Sequence, residues 1–296
     1  MAPLHPGSVR LCKGFAYPHG ECHDGPMISH SVTLLDARPA GAWASGHLAG
    51  ALDADLDRFL STASDPGFDP APQGRHPLPP IERWARQLGT WGVGPETKVV
   101  VYDGARGAMG ACRLWWMLKA SGHGPVEILD GGIDAVRVAG AVWTVDPSPA
   151  PSEKPPYPVT AWSWPVIGAD EAAGFAADPQ RLLIDVRSPE RWRGEVEPLD
   201  PVAGHIPGAV NLYLENNLQP DGCFKSAAEL RVLYAPVLEG RAPSQVAVSC
   251  GSGVSACHTL YALDRAGFSG ARLYVGSYSQ WCRTGRPIAT AVKAGV

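Results

Sequence analysis

The chain repeats itself, and this internal repeat constrains its fold more than any other feature. Residues 34–38 read LLDAR and precede GHLAGA at 46–51, while residues 183–187 read LIDVR and precede GHIPGA at 204–209. Further blocks follow in the same order: KVVVYD at 98–103 matches QVAVSC at 245–250, and ILDGG at 128–132 matches YVGS at 274–277. The spacing also agrees, with 67 residues from Asp36 to Asp103 and 65 from Asp185 to Cys250. We therefore predict a tandem duplication of one domain.

Each half alternates short apolar runs with longer patterned stretches, which predicts an α/β fold of two mostly parallel sheets covered by helices on both faces. The predicted strands are 32–36, 98–102, 126–129, 182–186, 245–249 and 271–275. The predicted helices are about 81–89, 108–121, 167–177, 227–234 and 254–266.

Four segments are expected along the chain. Residues 1–30 form an N-terminal extension, 31–145 a first domain, 146–160 a proline-rich linker and 161–296 a second domain. The linker assignment follows from proline, which at this density excludes helix and central strand. The extension contains cysteines and histidines whose spacing fits no zinc pattern, so we predict no metal; they are Cys12, His19, Cys22, His23 and His30.

Composition excludes several classes of protein. The net charge is −4 without any run of basic residues, which argues against nucleic acid as a partner. The longest apolar stretches, such as 114–118, are far too short to span a bilayer, and no signal peptide is recognisable at the N-terminus. Seven scattered cysteines are typical of free thiols in a reducing compartment, so we predict a cytoplasmic protein.

The best candidate for chemistry is Cys250, which ends a predicted strand and opens a glycine-rich turn before a helix. In a parallel sheet, ligands bind at the carboxyl ends of the strands. Gly251 and Gly253 let successive amides turn inward, and the following helix adds its positive N-terminus, so the loop favours a thiolate and an anion beside it. We predict that Cys250 is a nucleophile, whereas Cys257 falls inside the next helix and packs there.

The first half carries Asp103 where the second carries Cys250. A carboxylate cannot attack or carry sulfur, so the first domain is predicted to be a non-catalytic partner that shapes the cleft. The loop also argues against a cysteine phosphatase. Those enzymes have an arginine six residues beyond the nucleophile, and here that residue is Ala256.

From about residue 31 to 288 the chain resembles the two-domain rhodanese-family sulfurtransferases. DAR at 36–38, GHIPG at 204–208 and GSYSQW at 276–281 resemble the family's domain markers and C-terminal block. The resemblance implies two rhodanese-like domains, a persulfide carried on Cys250, and neither metal nor organic cofactor. It also implies a small-molecule sulfur donor and a cyanide, small-thiol or thioredoxin-like acceptor, with no membrane partner.

The loop CGSGVSA at 250–256 resembles that of the members that use 3-mercaptopyruvate. In those members a loop serine is linked to a histidine and an aspartate of the first domain, and the matching positions here are Ser252, His76 and Asp57. Two simpler alternatives remain open at this point: Asp57 could cap a helix, and His76 could be an ordinary loop histidine. The other loop positions expected to bind substrate are Gly251, Gly253, Val254 and Ser255.

Features of the sequence point to two different sulfur donors. Thiosulfate-specific members carry Arg and Lys directly after the cysteine, where this chain has Gly251 and Ser252. A loop without side-chain cations suits a mono-anion such as 3-mercaptopyruvate better than the thiosulfate dianion. The resemblance assigns the substrate carboxylate to Arg191, with Arg193 beside it, and Arg187 is expected to pair within its own domain. The family's second carboxylate-binding arginine is missing near Leu199. Two alternatives to a 3-mercaptopyruvate sulfurtransferase therefore stay open. The protein could be a thiosulfate:cyanide sulfurtransferase, or a persulfide carrier or binding module with little turnover.

Overall fold

The structure is a computed structural model that describes residues 32–39, 41–134 and 142–291. The predicted extension, with its cysteines and histidines, lies outside these residues. Both predicted sheets are present within them, together with a small antiparallel pair. The strands are β1 Val32–Asp36, β2 His47–Leu48, β3 Ala51–Asp53, β4 Lys98–Tyr102, β5 Val126–Ile128, β6 Trp143–Thr144, β7 Val166–Ile167, β8 Leu182–Asp185, β9 Val210–Asn211, β10 Val246–Ser249 and β11 Arg272–Tyr274.

The two large sheets are parallel throughout. The first has the order β3-β1-β4-β5 and the second the order β7-β11-β10-β8-β9, while β2 and β6 pair antiparallel. The α-helices that accompany them are α1 Leu56–Phe59, α2 Ile81–Thr90, α3 Ala111–Ala120, α4 Ala169–Ala177, α5 Pro189–Arg193, α6 Ala227–Leu238, α7 Ala256–Arg265 and α8 Ser277–Trp281. The predicted α/β class with parallel sheets is confirmed.

Three predicted helices begin later than expected. Helix α4 starts at residue 169 because residues 166–167 form β7. The stretches 108–110 and 254–255 belong to loops, and α3 and α7 start only at residues 111 and 256. In the first of these loops, the amides of Met109 and Gly110 turn towards the carboxylate of Asp103. Helix α6 runs four residues further than predicted, to Leu238, and contains Pro236.

The apolar core crosses the boundary between the two halves. Alternate strand residues from both sheets join one continuous cluster; they are Leu35, Val99, Val101, Leu182, Ile184, Val246 and Val248. The opposite faces of the sheets pack into separate, smaller clusters. Aromatic rings also meet across the seam, where Trp115 of α3 contacts Tyr261 of α7 edge to face at 4.9 Å. The carboxyl ends of the two sheets are therefore held in a fixed relation.

The proline-rich stretch 146–160 contains neither helix nor strand. It runs beside the first sheet's helix α2: Lys154 N donates to Gly89 O, Tyr157 N donates to Ala85 O, and the Tyr157 ring is buried. The domain boundaries themselves remain a prediction. Within the described residues, no helix combines the length and the apolar character needed to cross a membrane.

Candidate active site

Cys250 follows β10 directly, at the carboxyl end of the second sheet, and is buried. Its Sγ accepts hydrogen bonds from the amides of Ser252 at 3.4 Å and Gly253 at 3.1 Å. Gly253 has φ +75°, and any side chain there would collide with the carbonyl of Val275. The predicted amide cradle therefore exists around this sulfur, and only glycine fits the position that closes it.

Helix α8 holds the cradle in place from behind. Ser277 Oγ accepts from Cys250 N at 3.0 Å, while Tyr278 N and Ser279 N donate to the carbonyls of Cys250 and Gly251 at 3.0 and 2.8 Å. Ser277 itself has φ +50°. The sequence pointed to this segment only as a family block and gave no sign that its hydroxyl and amides fix the loop.

The structure brings Ser252, His76 and Asp57 together across the two domains. His76 Nδ1 lies 2.8 Å from Ser252 Oγ, and His76 Nε2 lies 3.1 Å from Asp57 Oδ1. A carboxylate only accepts hydrogen bonds, so Nε2 carries the ring proton and Nδ1 accepts the Ser252 hydroxyl proton. The cap of α1 is Asp55, so Asp57 is left to face the histidine.

Burial lowers the pKa of His76 from 6.5 to about 4, and the charges of Arg75 and Arg113 act in the same direction. The charge of Asp200 acts in the opposite direction, but it does not outweigh these effects on the pKa of His76. His76 is therefore neutral at physiological pH. Its Nδ1 lone pair, which faces Ser252 Oγ, can take a proton from that hydroxyl.

A buried arginine from the first half supports both loops. Arg113 of α3 is fully buried, and its guanidinium donates to Gly253 O at 3.2 Å and His76 O at 3.0 Å. Burial lowers the pKa of this guanidinium from its ordinary value. Sequence reasoning missed Arg113, because an arginine inside an apolar helix gives no sign of the loops that it reaches.

Two further guanidiniums lie over the loop at Gly251. A side-chain carbon built on Gly251 would lie 2.9 Å from Arg75 Nη2 and 3.5 Å from Arg191 Nη2. The expectation that Arg191 is the main cation near the loop was thus incomplete. Arg75 was missed because the resemblance assigns a role only to its neighbour His76, and the sequence does not show which way the Arg75 side chain turns.

Buried carboxylates fix these arginines. Asp200, whose side chain has no exposed surface, accepts from Arg75 at 3.1 and 3.3 Å, and Arg191 pairs with Glu197 at 2.6 Å. Burial alone would raise the pKa of Glu197, but hydrogen bonding and charge from Arg191 hold it below its ordinary value.

The other two arginines considered in the sequence pair with carboxylates of their own domain. Arg193 ends the short helix α5 and pairs with Glu195 at 2.7 Å and Glu190 at 3.7 Å. Arg187 pairs with Asp185 of its own domain at 2.7 Å, as expected.

The remaining predicted loop residues stand where the loop enters α7. Val254 is buried and packs into the shared core, whereas Ser255 is half-buried just before α7. Among the described residues, no acceptor is paired with the amides of Gly251, Val254 or Ser255.

Cys257 occupies the predicted helix interior. Its Sγ donates to Gly253 O at 3.4 Å, and burial raises the pKa of its thiol to about 12. A thiol that stays protonated at neutral pH is a poor nucleophile. The described cysteines are all free; they are Cys112, Cys223, Cys250, Cys257 and Cys282.

The corresponding loop of the first half is filled by its own side chain. The carboxylate of Asp103 accepts five backbone N–H groups at 2.8 to 3.2 Å, from Ala105, Gly107, Met109, Gly110 and Ala111. An anion of this chain thus already sits in the duplicated cradle.

The paired sheets and the strand-end cysteine in an amide cradle are those of a sulfur-handling α/β protein. The family model described as "Rhodanese-like domain" matches residues 21–139 and 168–284. The chain therefore belongs to the rhodanese family, and the predicted resemblance is confirmed.

Similar proteins of known sequence or structure indicate the class of activity, because those given below are named sulfurtransferases. The chain is 40% identical over 254 residues to "Probable 3-mercaptopyruvate sulfurtransferase" of Pseudomonas aeruginosa, covering 85% of this chain and 87% of the relative. It is 38% identical over 273 residues to "Putative thiosulfate sulfurtransferase SseB" of Mycobacterium tuberculosis, covering 84% and 87%. The structure of "3-mercaptopyruvate sulfurtransferase from Leishmania major" superposes with a TM-score of 0.71 at 31% identity, over 84% of this chain and 69% of that one. The prediction of a sulfurtransferase is confirmed by these relatives.

In the ranges that the structure describes, no group of three or more histidine, cysteine or acidic side chains is arranged to hold a metal ion. The groups that the site brings together are the Cys250 sulfur, the linked side chains of Ser252, His76 and Asp57, and the guanidiniums of Arg75 and Arg191.

Proposed function

We propose that this protein transfers sulfur from 3-mercaptopyruvate to a nucleophilic acceptor through a persulfide on Cys250. The observation that carries the proposal is the proton path beside the nucleophile: Ser252 Oγ lies 2.8 Å from His76 Nδ1, and His76 Nε2 lies 3.1 Å from Asp57. A neutral histidine oriented by a carboxylate can move a proton through a hydroxyl.

The first half-reaction needs such a path. The Cys250 thiolate attacks the sulfur of the donor, so that an S–S bond forms while the C–S bond breaks and its electron pair leaves with pyruvate as an enolate. Ser252 Oγ takes the donor's thiol proton and passes its own to His76 Nδ1, and the imidazolium formed faces Asp57. The proton returns by the same path to the enolate carbon, which releases pyruvate and leaves a persulfide anion on Cys250.

The second half-reaction needs no proton. Cyanide or a thiolate attacks the outer sulfur of the persulfide, the S–S bond breaks, and Cys250 is regenerated as a thiolate. The unpaired loop amides of Gly251, Val254 and Ser255 are suited to hold the outer sulfur between the two steps. Such covalent catalysis predicts ping-pong kinetics. We further propose a reducing, cytoplasmic setting and a small thiol or thioredoxin-like dithiol as the acceptor.

Thiosulfate is the second candidate donor, since the Mycobacterium tuberculosis relative bears that name. Its reaction releases sulfite and moves no proton, because the thiolate attacks the outer sulfur of an already ionised dianion. The path from Ser252 to Asp57 would then have no function, which favours 3-mercaptopyruvate.

The test compares both donors on the wild-type protein under identical conditions. We expect kcat/KM to be higher for 3-mercaptopyruvate, and intact-mass spectrometry to find one added sulfur on the wild type and none on Cys250→Ser. A higher kcat/KM for thiosulfate would replace the proposed donor. A Cys250→Ser protein that still gains the sulfur would reject Cys250 as its carrier.

A further inference from the structure

Arg75 is the least expected member of the site, because it comes from the first domain and reaches over the loop of the second. Its Nη2 lies 2.9 Å from the position of a side-chain carbon on Gly251, and Arg191 Nη2 lies 3.5 Å from the same position. The three atoms nearest to that position all belong to these two guanidiniums. Gly251 directly follows the nucleophile, so both cations adjoin the place where a donor must lie.

The backbone around Arg75 sets this approach. Gly74 has φ +82° and packs so closely on Gly276 that a side chain there would collide with its carbonyl. Arg75 N then donates to Ser279 Oγ at 3.0 Å. The loop of the first domain is therefore anchored on the same helix, α8, that holds the Cys250 cradle.

Asp200 directs the guanidinium. It accepts from Arg75 Nε at 3.1 Å and from Nη2 at 3.3 Å, and it also pairs with Arg283 at 2.6 Å and Arg191 at 3.7 Å. A carboxylate without exposed surface that serves three arginines fixes their geometry and does not neutralise them.

The charge of the connected cluster supports an anionic ligand. Among the described residues, four arginines and three carboxylates are joined by ion pairs, which leaves one positive charge in excess; they are Arg75, Arg187, Arg191, Arg283, Asp185, Glu197 and Asp200. Planar guanidiniums bind a carboxylate with directed, charge-assisted hydrogen bonds.

We propose that Arg75 is a specificity-determining residue that binds the donor's carboxylate together with Arg191, so that each domain supplies one arginine. The inference rests on the proposed function, because it takes an α-keto acid as the ligand. Arg75 then replaces the family's second carboxylate-binding arginine, which is missing near Leu199.

The test measures binding separately from chemistry. Arg75→Gln should raise the KM for 3-mercaptopyruvate about 10- to 100-fold with kcat changed less than about threefold, because the carboxylate keeps its charge during the reaction. Pyruvate, which has the same carboxylate but no sulfur, should bind Arg75→Gln weaker by a similar factor in ligand-observed NMR. Arg75→Lys keeps the positive charge but lacks the planar guanidinium. Its KM and its affinity for pyruvate should therefore lie between those of the wild type and those of Arg75→Gln.

Arg83→Gln is the matched control, because Arg83 is another arginine of the first half that pairs with a carboxylate, Asp65 at 2.8 Å, and it has no place in the cluster described above. We expect its KM and pyruvate affinity to stay within about threefold of wild type. Equal losses in both variants would mean that the effect is not specific to Arg75, and an Arg75→Gln protein that binds pyruvate like wild type would also overturn the proposal. If the wild type forms no persulfide from 3-mercaptopyruvate, the proposed function fails, while the pyruvate measurement still decides the role of Arg75.

Discussion

Replacing Ser252 by alanine should separate the two half-reactions. The substitution removes only the hydroxyl group, whose oxygen lies 2.8 Å from His76 Nδ1. In the proposed mechanism this hydroxyl carries the donor's thiol proton to the histidine. General acid–base assistance contributes about 10²- to 10⁴-fold in rate, or about 2.7–5.4 kcal/mol of barrier. We expect the donor half-reaction to slow by that factor, whereas transfer from a preformed persulfide to cyanide, which moves no proton, should keep its rate.

The assay is single-turnover quench flow. Pyruvate release reports the first step with 3-mercaptopyruvate, and thiocyanate formation from protein loaded with polysulfide reports the second. The Ser252→Ala/His76→Ala double variant should be little slower than either single variant, because both belong to one path. Equal slowing of both half-reactions, or a donor step within about threefold of wild type, would refute the proton path.

Three further predictions concern residues around the site. Cys257→Ser should retain most of the activity in steady-state assays, because the buried thiol has a pKa of about 12 and stays protonated; loss of persulfide formation would contradict this. Asp103→Asn should lower the free energy of unfolding by about 2–3 kcal/mol in urea titrations, because one amide oxygen replaces a carboxylate that accepts five N–H groups; an unchanged midpoint would mean that water replaces it. Acidification from pH 7 to 5 should destabilise the wild type by about 2 kcal/mol through His76, because its folded pKa of about 4 lies below the unfolded 6.5 and the unfolded chain takes up the proton first. His76→Asn should lack that share of the pH dependence, and equal slopes would show that His76 titrates normally.

The sequence predicted the main strands to within about a residue, because runs such as 99–102 are apolar throughout and bounded by turn signals. It missed the edge strands β2, β3, β6, β7 and β9, which have only two or three residues each and no periodicity to detect. The loop around Cys250 could be placed because its glycines, its cysteine and the following helix are contiguous in the chain.

Contacts between the halves could not be predicted in the same way. Ser252 and His76 are 176 residues apart and were paired only through the family resemblance. Arg75 and Asp200 are 125 residues apart, and neither position signals the other. Arg193 was placed beside the carboxylate by the family resemblance; in the structure it ends α5, its side chain pairs with Glu195 at 2.7 Å, and its part in binding stays a prediction.

The apolar cluster shared by the two sheets makes the chain a single cooperative folding unit. Helices α3 and α7 contribute Leu114 and Leu260 to that cluster, and Trp115 meets Tyr261 between them. Cutting the chain within 146–160 would leave each half with a large wet apolar face, a surface prone to self-association. Heat or urea should therefore unfold both halves in one transition, and removal of the first half should cost the second half its solubility as well as the contacts of His76 and Arg75.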